Sequence, residues 1–218
     1  MIGADELKDP VHFSAKAAAM AVTAITGDIG AGKSAFAGIL AGILECPLFD
    51  ADTTAKSLWL RDDVRNIAVS RWGNGILDSS GHVALKEVSR RIFASKEDHA
   101  FCNSLIHPLV MSELCGCVKN LPCAVIEIPL LPEAGRPQWI DTVIYVEACY
   151  SVRAERCKLR GWDDGELLRR EKFLLSRDLR LSASDYIIRN EGSLSELESQ
   201  AVRLSQEKIT HDNNKRSP

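Results

Sequence analysis

No uncharged run near the start of the chain is long enough to cross a bilayer. The longest, from Ala17 to Gly27, falls far short of the ~20 apolar residues a spanning helix needs. It follows Asp5, Glu6 and Asp9 instead of a basic segment, which argues against a secretory leader. There is no surplus of positive charge either. A net charge of −3 offers no global attraction to nucleic acid or to a membrane surface, so neither is expected as a partner. Cys-x-x-Cys is absent. The seven cysteines (Cys46, Cys102, Cys115, Cys117, Cys123, Cys149, Cys157) and five scattered histidines give no zinc spacing. Most of these thiols are expected to be small buried hydrophobes in a reducing cytoplasm. Low-complexity tracts and internal repeats are missing as well. What remains is an ordinary globular composition, 45% apolar and 26% charged over 218 residues, enough for one α/β domain with a sizeable core.

The most informative stretch present is Gly27-Asp28-Ile29-Gly30-Ala31-Gly32-Lys33-Ser34, which fits G-x-x-x-x-G-K-[ST]. An apolar run that reads as a buried strand, residues 21–26, precedes it, and a run that reads as a helix, 34–44, follows. Glycines in such a loop let successive N–H groups turn inward around anionic oxygens. The helix adds its positive N-terminal end. Lys33 can place a charge between the β- and γ-phosphates, and Ser34 can ligate Mg²⁺ through its hydroxyl.

Further strands are expected at Pro47–Asp50, Ala124–Ile128, Thr142–Val146 and Tyr186–Ile188. Helices are expected from about Asp52, over Ala84–Phe93, from His107-Pro108, over Ser151–Ser176, and after a Ser193-x-x-Glu196 capping box. Strands alternating with helices predict a parallel sheet of about five strands flanked by helices, with ligands beyond the strands' carboxyl ends. Residues 1–18 read as an extension, 19–210 as the domain and 211–218 as a frayed tail.

Asp50-Ala51-Asp52 falls at the carboxyl end of the second strand. Asp52 could take a proton from an attacking hydroxyl, or simply cap the next helix; the spacing supports both. Glu127, inside an apolar strand, needs a partner. It is either linked to Mg²⁺ or a structural carboxylate bonded to loop N–H groups. Residues 151–180 hold nine basic side chains and six acids, mostly a solvated helix face with i,i+4 pairs. The same segment suits a lid that brings cations over a transferring phosphate, and Arg156 and Arg160 share one helix face. Asp78-Ser79-Ser80-Gly81 matches the D-x-x-G of GTPase switches by chance frequency, and no N-K-x-D guanine reader occurs.

Taken in order, these elements resemble the dephospho-coenzyme A kinase family, P-loop kinases with the nucleoside-monophosphate-kinase type of fold. The likeness runs from about Val22 to Leu204. It is carried by Thr26–Ser34, Phe49-Asp50-Ala51-Asp52, Arg91-Ile92-Phe93, Leu105–Val110 with its His107-Pro108, Pro129-Leu130-Leu131-Pro132-Glu133, and Asp185–Gly192. The resemblance implies transfer of the γ-phosphoryl of MgATP to the ribose 3′-hydroxyl of dephospho-coenzyme A. It makes Asp52 the base and gives Lys33 with Arg156 or Arg160 the moving charge. The loop from Gly27 to Ala35 (Gly27, Asp28, Ile29, Gly30, Ala31, Gly32, Lys33, Ser34, Ala35) and Asn190 would hold ATP, with Asn190–Gly192 near the adenine. Ser34 and Glu127 would hold Mg²⁺. Asp52, His107, Pro108 and Leu130 would meet the acceptor, with residues 60–120 as a helical substrate subdomain and 150–180 as the lid. A monomer or small homo-oligomer is expected.

Several positions depart from the family pattern. Asp28 stands where the family has a second glycine and brings a negative charge close to the phosphates, unless it turns outward or meets Mg²⁺ or an arginine. Asp28→Gly is therefore expected to leave activity equal or higher. Ala35 stands where Thr is common, Leu174 where Gln is common, and Ser184-Asp185 for Ala-Asp. Two alternatives remain: a related kinase with another acceptor, and a nucleotide sensor without turnover.

Overall fold

Apolar strand runs alternate with amphipathic helical text, and the computed structural model arranges that alternation as a five-stranded parallel sheet. It describes residues 21–163 and 165–214, with side chains between 22 and 206. The extension expected over 1–18 lies outside the described residues. β1 (Ala21–Gly27) leads into α1 (Lys33–Ile43), β2 (Leu48–Asp50), α2 (Ala51–Leu58) and α3 (Asp62–Trp72). A single 3₁₀ turn precedes α4 (Leu85–Ile92) and the long α5 (Lys96–Val118). Next come β3 (Cys123–Glu127), α6 (Leu131–Ala134) and β4 (Thr142–Glu147), then α7 (Tyr150–Leu159), α8 (Glu166–Glu171), α9 (Arg177–Ser182), β5 (Tyr186–Arg189) and α10 (Leu194–Asn214).

The strand order is β2-β3-β1-β4-β5. β1 is central, so its residues Ala24 and Ile25 are fully buried. From β1 the chain first serves strands on one side and later those on the other. The connections therefore diverge beyond its carboxyl end, and a crevice opens there. The phosphate-loop motif begins at that point, with Gly27 opposite Val146 and Ile25 opposite Glu127. One face of the sheet packs on α1 and α10 through Phe36, Leu40, Leu197 and Ala201. The other packs on the helical block α2–α5 through Leu58, Val64, Ile106 and Leu114.

Three expectations change. The helix expected to start at His107-Pro108 begins at Lys96, where Ser95 caps it by accepting the Asp98 N–H at 3.2 Å. Pro108 is thus interior to α5. Its missing N–H forgoes the helical bond to the carbonyl of Ser104, an exposed residue where water can serve that carbonyl. The helical text over 151–176 is broken into α7 and α8, with α9 beyond it. α10 continues through Asn214, into the stretch expected to fray. α5 is long and apolar enough to cross a bilayer. However, Cys102, Ile106, Val110, Leu114 and Val118 recur every fourth residue and are buried against the core, which accounts for its apolarity. The capping box holds: Ser193 N–H donates to Glu196 at 2.8 Å and Glu196 N–H to the Ser193 hydroxyl at 3.3 Å. The D-x-x-G stretch is a turn in which the Asp78 carboxylate accepts the N–H groups of Ser80 and His82.

Candidate active site

The phosphate loop is shaped by contacts that leave no room for side chains. Gly27 has φ 145°, and a Cβ there would fall 2.0 Å from the Val146 carbonyl oxygen. Gly32, at φ 93°, would place one 2.3 Å from Asn190 Nδ2. The Asp28 N–H donates to Val146 O at 3.0 Å and the Ala31 N–H to Asp28 O at 3.1 Å. The Ala31 carbonyl accepts from Asn190 Nδ2 at 2.7 Å and from Arg156 at 3.1 Å. Gly32 caps α1 without a side-chain bond, which leaves the first N–H groups of that helix for an anion. Asn190 is buried and commits its amide to the loop, so it shapes the cradle through Ala31. Gly30 has φ 78°, and a Cβ there would fall 2.9 Å from the Arg153 carbonyl oxygen; the Ile29 carbonyl accepts from Arg153, and Ala35 lies in the first turn of α1.

Facing the loop is a compact set of charges. Lys33 Nζ donates to Asp28 O at 3.1 Å and Gly27 O at 3.4 Å. Burial pulls its pKa down, against the opposing pull of Glu127, Asp52 and Asp28, while the Arg160 charge adds to the lowering. Asp50, not Asp52, is the N-cap of α2. Its carboxylate accepts the Asp52 N–H at 2.9 Å and the Thr53 hydroxyl at 2.7 Å. Asp52 is thereby freed of the capping role and sits in the first turn, where it lines the crevice. Burial pushes its carboxyl above the usual aspartate range, helped by the like charge of Asp50 and opposed by Lys33 and Lys56. Glu127 is also pushed up by burial, opposed by a hydrogen bond from Ser34 and by the Lys33 charge. Lys33, Ser34, Asp52 and Glu127 thus form one electrostatic group: a cation, a hydroxyl and two carboxylates at the carboxyl edge of the sheet.

Asp28 is resolved by its surroundings. Its side chain is only 7% exposed and does not stand bare beside the loop. The carboxylate accepts from the Tyr145 hydroxyl and from Arg180, each at 2.7 Å, with Arg153 Nε 3.9 Å away. The Tyr145 phenol is held protonated well above its usual range, by burial first and then by its bond to Asp28. Arg153 also donates to the carbonyls of Ala148 at 2.9 Å and Ile29 at 3.2 Å and pairs with Glu171. The loop is therefore tied directly to α7 and α9, and through Arg153 to α8.

On the other side of Asp52 lies a cavity of about 320 Å³. Asp52, Lys56, His107, Leu130 and Arg170 line it, against a wall that includes Trp59, Ile92 and Ile106. Burial lowers the pKa of His107, with the nearby His99 adding to it, so the ring is neutral near pH 7. Pro108, expected among the acceptor contacts, faces away on α5 and does not line this cavity. His107 and Val110 occupy the inward face, a consequence of the 3.6-residue turn.

The family model of dephospho-CoA kinase matches residues 21–196. The chain belongs to the dephospho-CoA kinase family. A dephospho-CoA kinase of Corynebacterium diphtheriae is 31% identical over 194 residues, 86% of this chain and 96% of its own length. One of Xanthomonas campestris is 29% identical over 192 residues, 84% and 91% of the two chains. The structure of dephospho-CoA kinase from Campylobacter jejuni superposes with a TM-score of 0.63 at 21% identity, covering 88% of this chain and 98% of that one. The activity is phosphoryl transfer from ATP to a hydroxyl group, that of dephospho-CoA.

For this kinase, sequence reasoning singles out Arg156 and Arg160 among the basic residues of 151–180. Arg156 hooks the phosphate loop at Ala31, and the charge of Arg160 reaches Lys33. Arg153, Arg170 and Arg180 stand in the sequence only as members of a basic segment. The discordant charge of Asp28 is the available signal for Arg153 and Arg180, since a buried carboxylate calls for a buried cation. Nothing in spacing links Arg170 to the cavity wall across the chain.

Proposed function

We propose that Asp52 is the base that orients and deprotonates the acceptor's 3′-hydroxyl, and that Lys33 with Arg160 holds the charge of the phosphoryl in flight. The observation that carries this is the freeing of Asp52 by the Asp50 cap. It leaves a carboxylate with a raised pKa at the place where the acceptor cavity meets the phosphate loop. A base of raised pKa takes a hydroxyl proton more readily than an ordinary aspartate does. The proton passes from the 3′-oxygen to Asp52 as that oxygen bonds to the γ-phosphorus and the β–γ bridge breaks, giving ADP. The helix α1 N-terminus and loop N–H groups stabilise the oxygens that gain charge.

Mg²⁺ fits the donors. Among the described residues no three His, Cys, Asp or Glu side chains converge as a metal cage. The Ser34 hydroxyl and the Glu127 carboxylate beside it are an oxygen pair of the sort Mg²⁺ uses when phosphates and water complete its shell. Ser34 would bind it directly and Glu127 through its carboxylate, and the ion would neutralise phosphate charge. Asp52→Asn tests the assignment. The kcat for dephospho-CoA falls at least ~10²-fold while ATP still binds. Turnover near wild type would leave Asp52 as a mere first-turn residue of α2.

A further inference from the structure

Arg170 occupies an unusual position for a residue of the basic segment. It lies on α8, yet its guanidinium sits 4.3 Å from the Phe93 ring centroid and 4.4 Å from that of Trp162, between an α4 terminus and the loop after α7. Phe93 in turn meets Phe173 edge-on at 5.7 Å, and Phe173 packs on His99 at 4.7 Å. Phe93 closes the Arg-Ile-Phe motif, which the phosphate-transfer machinery leaves unexplained. The Nε of Arg170 donates to Glu166 at 2.6 Å. With Nε engaged and the guanidinium set over two rings, the terminal nitrogens are the donors left over. Arg170 also lines the same cavity as Asp52 and Lys56. Burial lowers its pKa, so the charge is held in a poorly hydrated place. A guanidinium is planar by its own delocalisation, and one held in orientation by aromatic rings presents parallel N–H donors to oxyanions of phosphate geometry.

We propose that Arg170 is a specificity-determining residue for the acceptor, recognising its diphosphate group from the lid side, with Phe93 and Trp162 positioning the guanidinium for that contact. The proposal rests on the reading that this cavity receives dephospho-CoA. It gives the cavity a division of labour. The apolar wall takes the neutral parts of the acceptor, while Lys56 on α2 and Arg170 on α8 approach its charge from two sides. The lid helix then bears on the acceptor as well as on ATP.

Steady-state kinetics of Arg170→Met and Arg170→Lys, with melting temperature measured alongside, test it. Methionine keeps an apolar stem between the rings and removes the charge; lysine keeps the charge and removes the fork. Loss of a charge-assisted contact predicts a KM for dephospho-CoA raised ~10-fold or more in the Met variant, with the Lys variant between it and wild type. The KM for ATP stays within about twofold, and so does inhibition by adenosine, which carries no phosphate. Should the Met variant fail to fold, Arg170→Lys alone and Arg170→Lys combined with Trp162→Leu carry the same comparison. A KM for dephospho-CoA within about twofold of wild type, or both KM values rising together, would overturn the proposal. Wild-type enzyme that did not turn over dephospho-CoA would instead sink the reading of the cavity itself.

Discussion

The segment of α7 to α9 is fastened at two ends by different physics. Toward the phosphate loop it is held by charged groups: Arg180 on the Asp28 carboxylate, and Arg153, itself paired with Glu171, on the Ile29 carbonyl. Toward the helical block it is held by rings: Phe93, Arg170, Trp162 and Phe173. A buried ion pair is demanding, because removing one partner strands the other's charge. An aromatic contact degrades gradually, since each lost methylene or ring takes only part of the buried area. The loop side of this segment is thus built for register and the cavity side for adaptable packing. A third tether joins them, the Leu175 N–H donating to Glu133 at 3.0 Å.

Breaking the two ends in turn should give unequal effects. The largest belongs to the cation inside the loop that the charged side holds. Lys33→Met is expected to lower kcat by ~10²–10³-fold, as loss of a charge-stabilising donor does, measured by ADP release at saturating dephospho-CoA. Next comes Asp28→Gly. Equal or higher activity is the expectation for a bare negative charge beside phosphates. The burial of Asp28 with Arg180 reverses the sign. Stability should fall by about 3–5 kcal/mol, the usual cost of orphaning a buried partner, and kcat/KM for ATP should fall with it. Thermal unfolding and ATP kinetics together check this. On the aromatic end, Phe93→Leu should cost only about 1–2 kcal/mol and leave the KM for ATP unchanged, which the same two measurements read.

The smallest effect is a pH shift. As the proposed base, Asp52 must be ionised, so activity is expected above its pKa and is expected to be lost as pH falls through it. Because that pKa is raised, by burial and then by Asp50, the acid limb of kcat/KM should lie above the range of an ordinary aspartate. Asp50→Asn removes the like charge and should move the limb toward lower pH, while the amide still accepts the Asp52 N–H. A pH–rate profile of both proteins measures it.

The features legible in the sequence share one property: their signal is local. The phosphate loop, the alternation of strands with helices and the Ser193–Glu196 box each lie within a few residues of chain. Asp52 is legible as a candidate but ambiguous, because Asp50 and Asp52 are equally good caps by type. Only the backbone course shows that Asp50 takes the Asp52 N–H. Pro108 misleads for a similar reason: proline favours helix starts, but the Ser95 cap upstream and the buried stripe of α5 outweigh it. Asp28, Tyr145 and Arg180 are far apart in sequence, as are Phe93 and the pair Trp162 and Arg170. Those clusters exist only once β1, β4 and the helices α7 to α9 are packed.

The central claim is that Asp28 serves the arginine-bearing helices and not the nucleotide, so that loop and helices act as one unit. A double-mutant cycle of Asp28→Asn and Arg180→Gln, read in kcat/KM for ATP and in thermal stability, tests this directly. Strong coupling is predicted, with the double variant no worse than either single one, since the pair is removed together. Strictly additive losses would contradict it and return Asp28 to the phosphates.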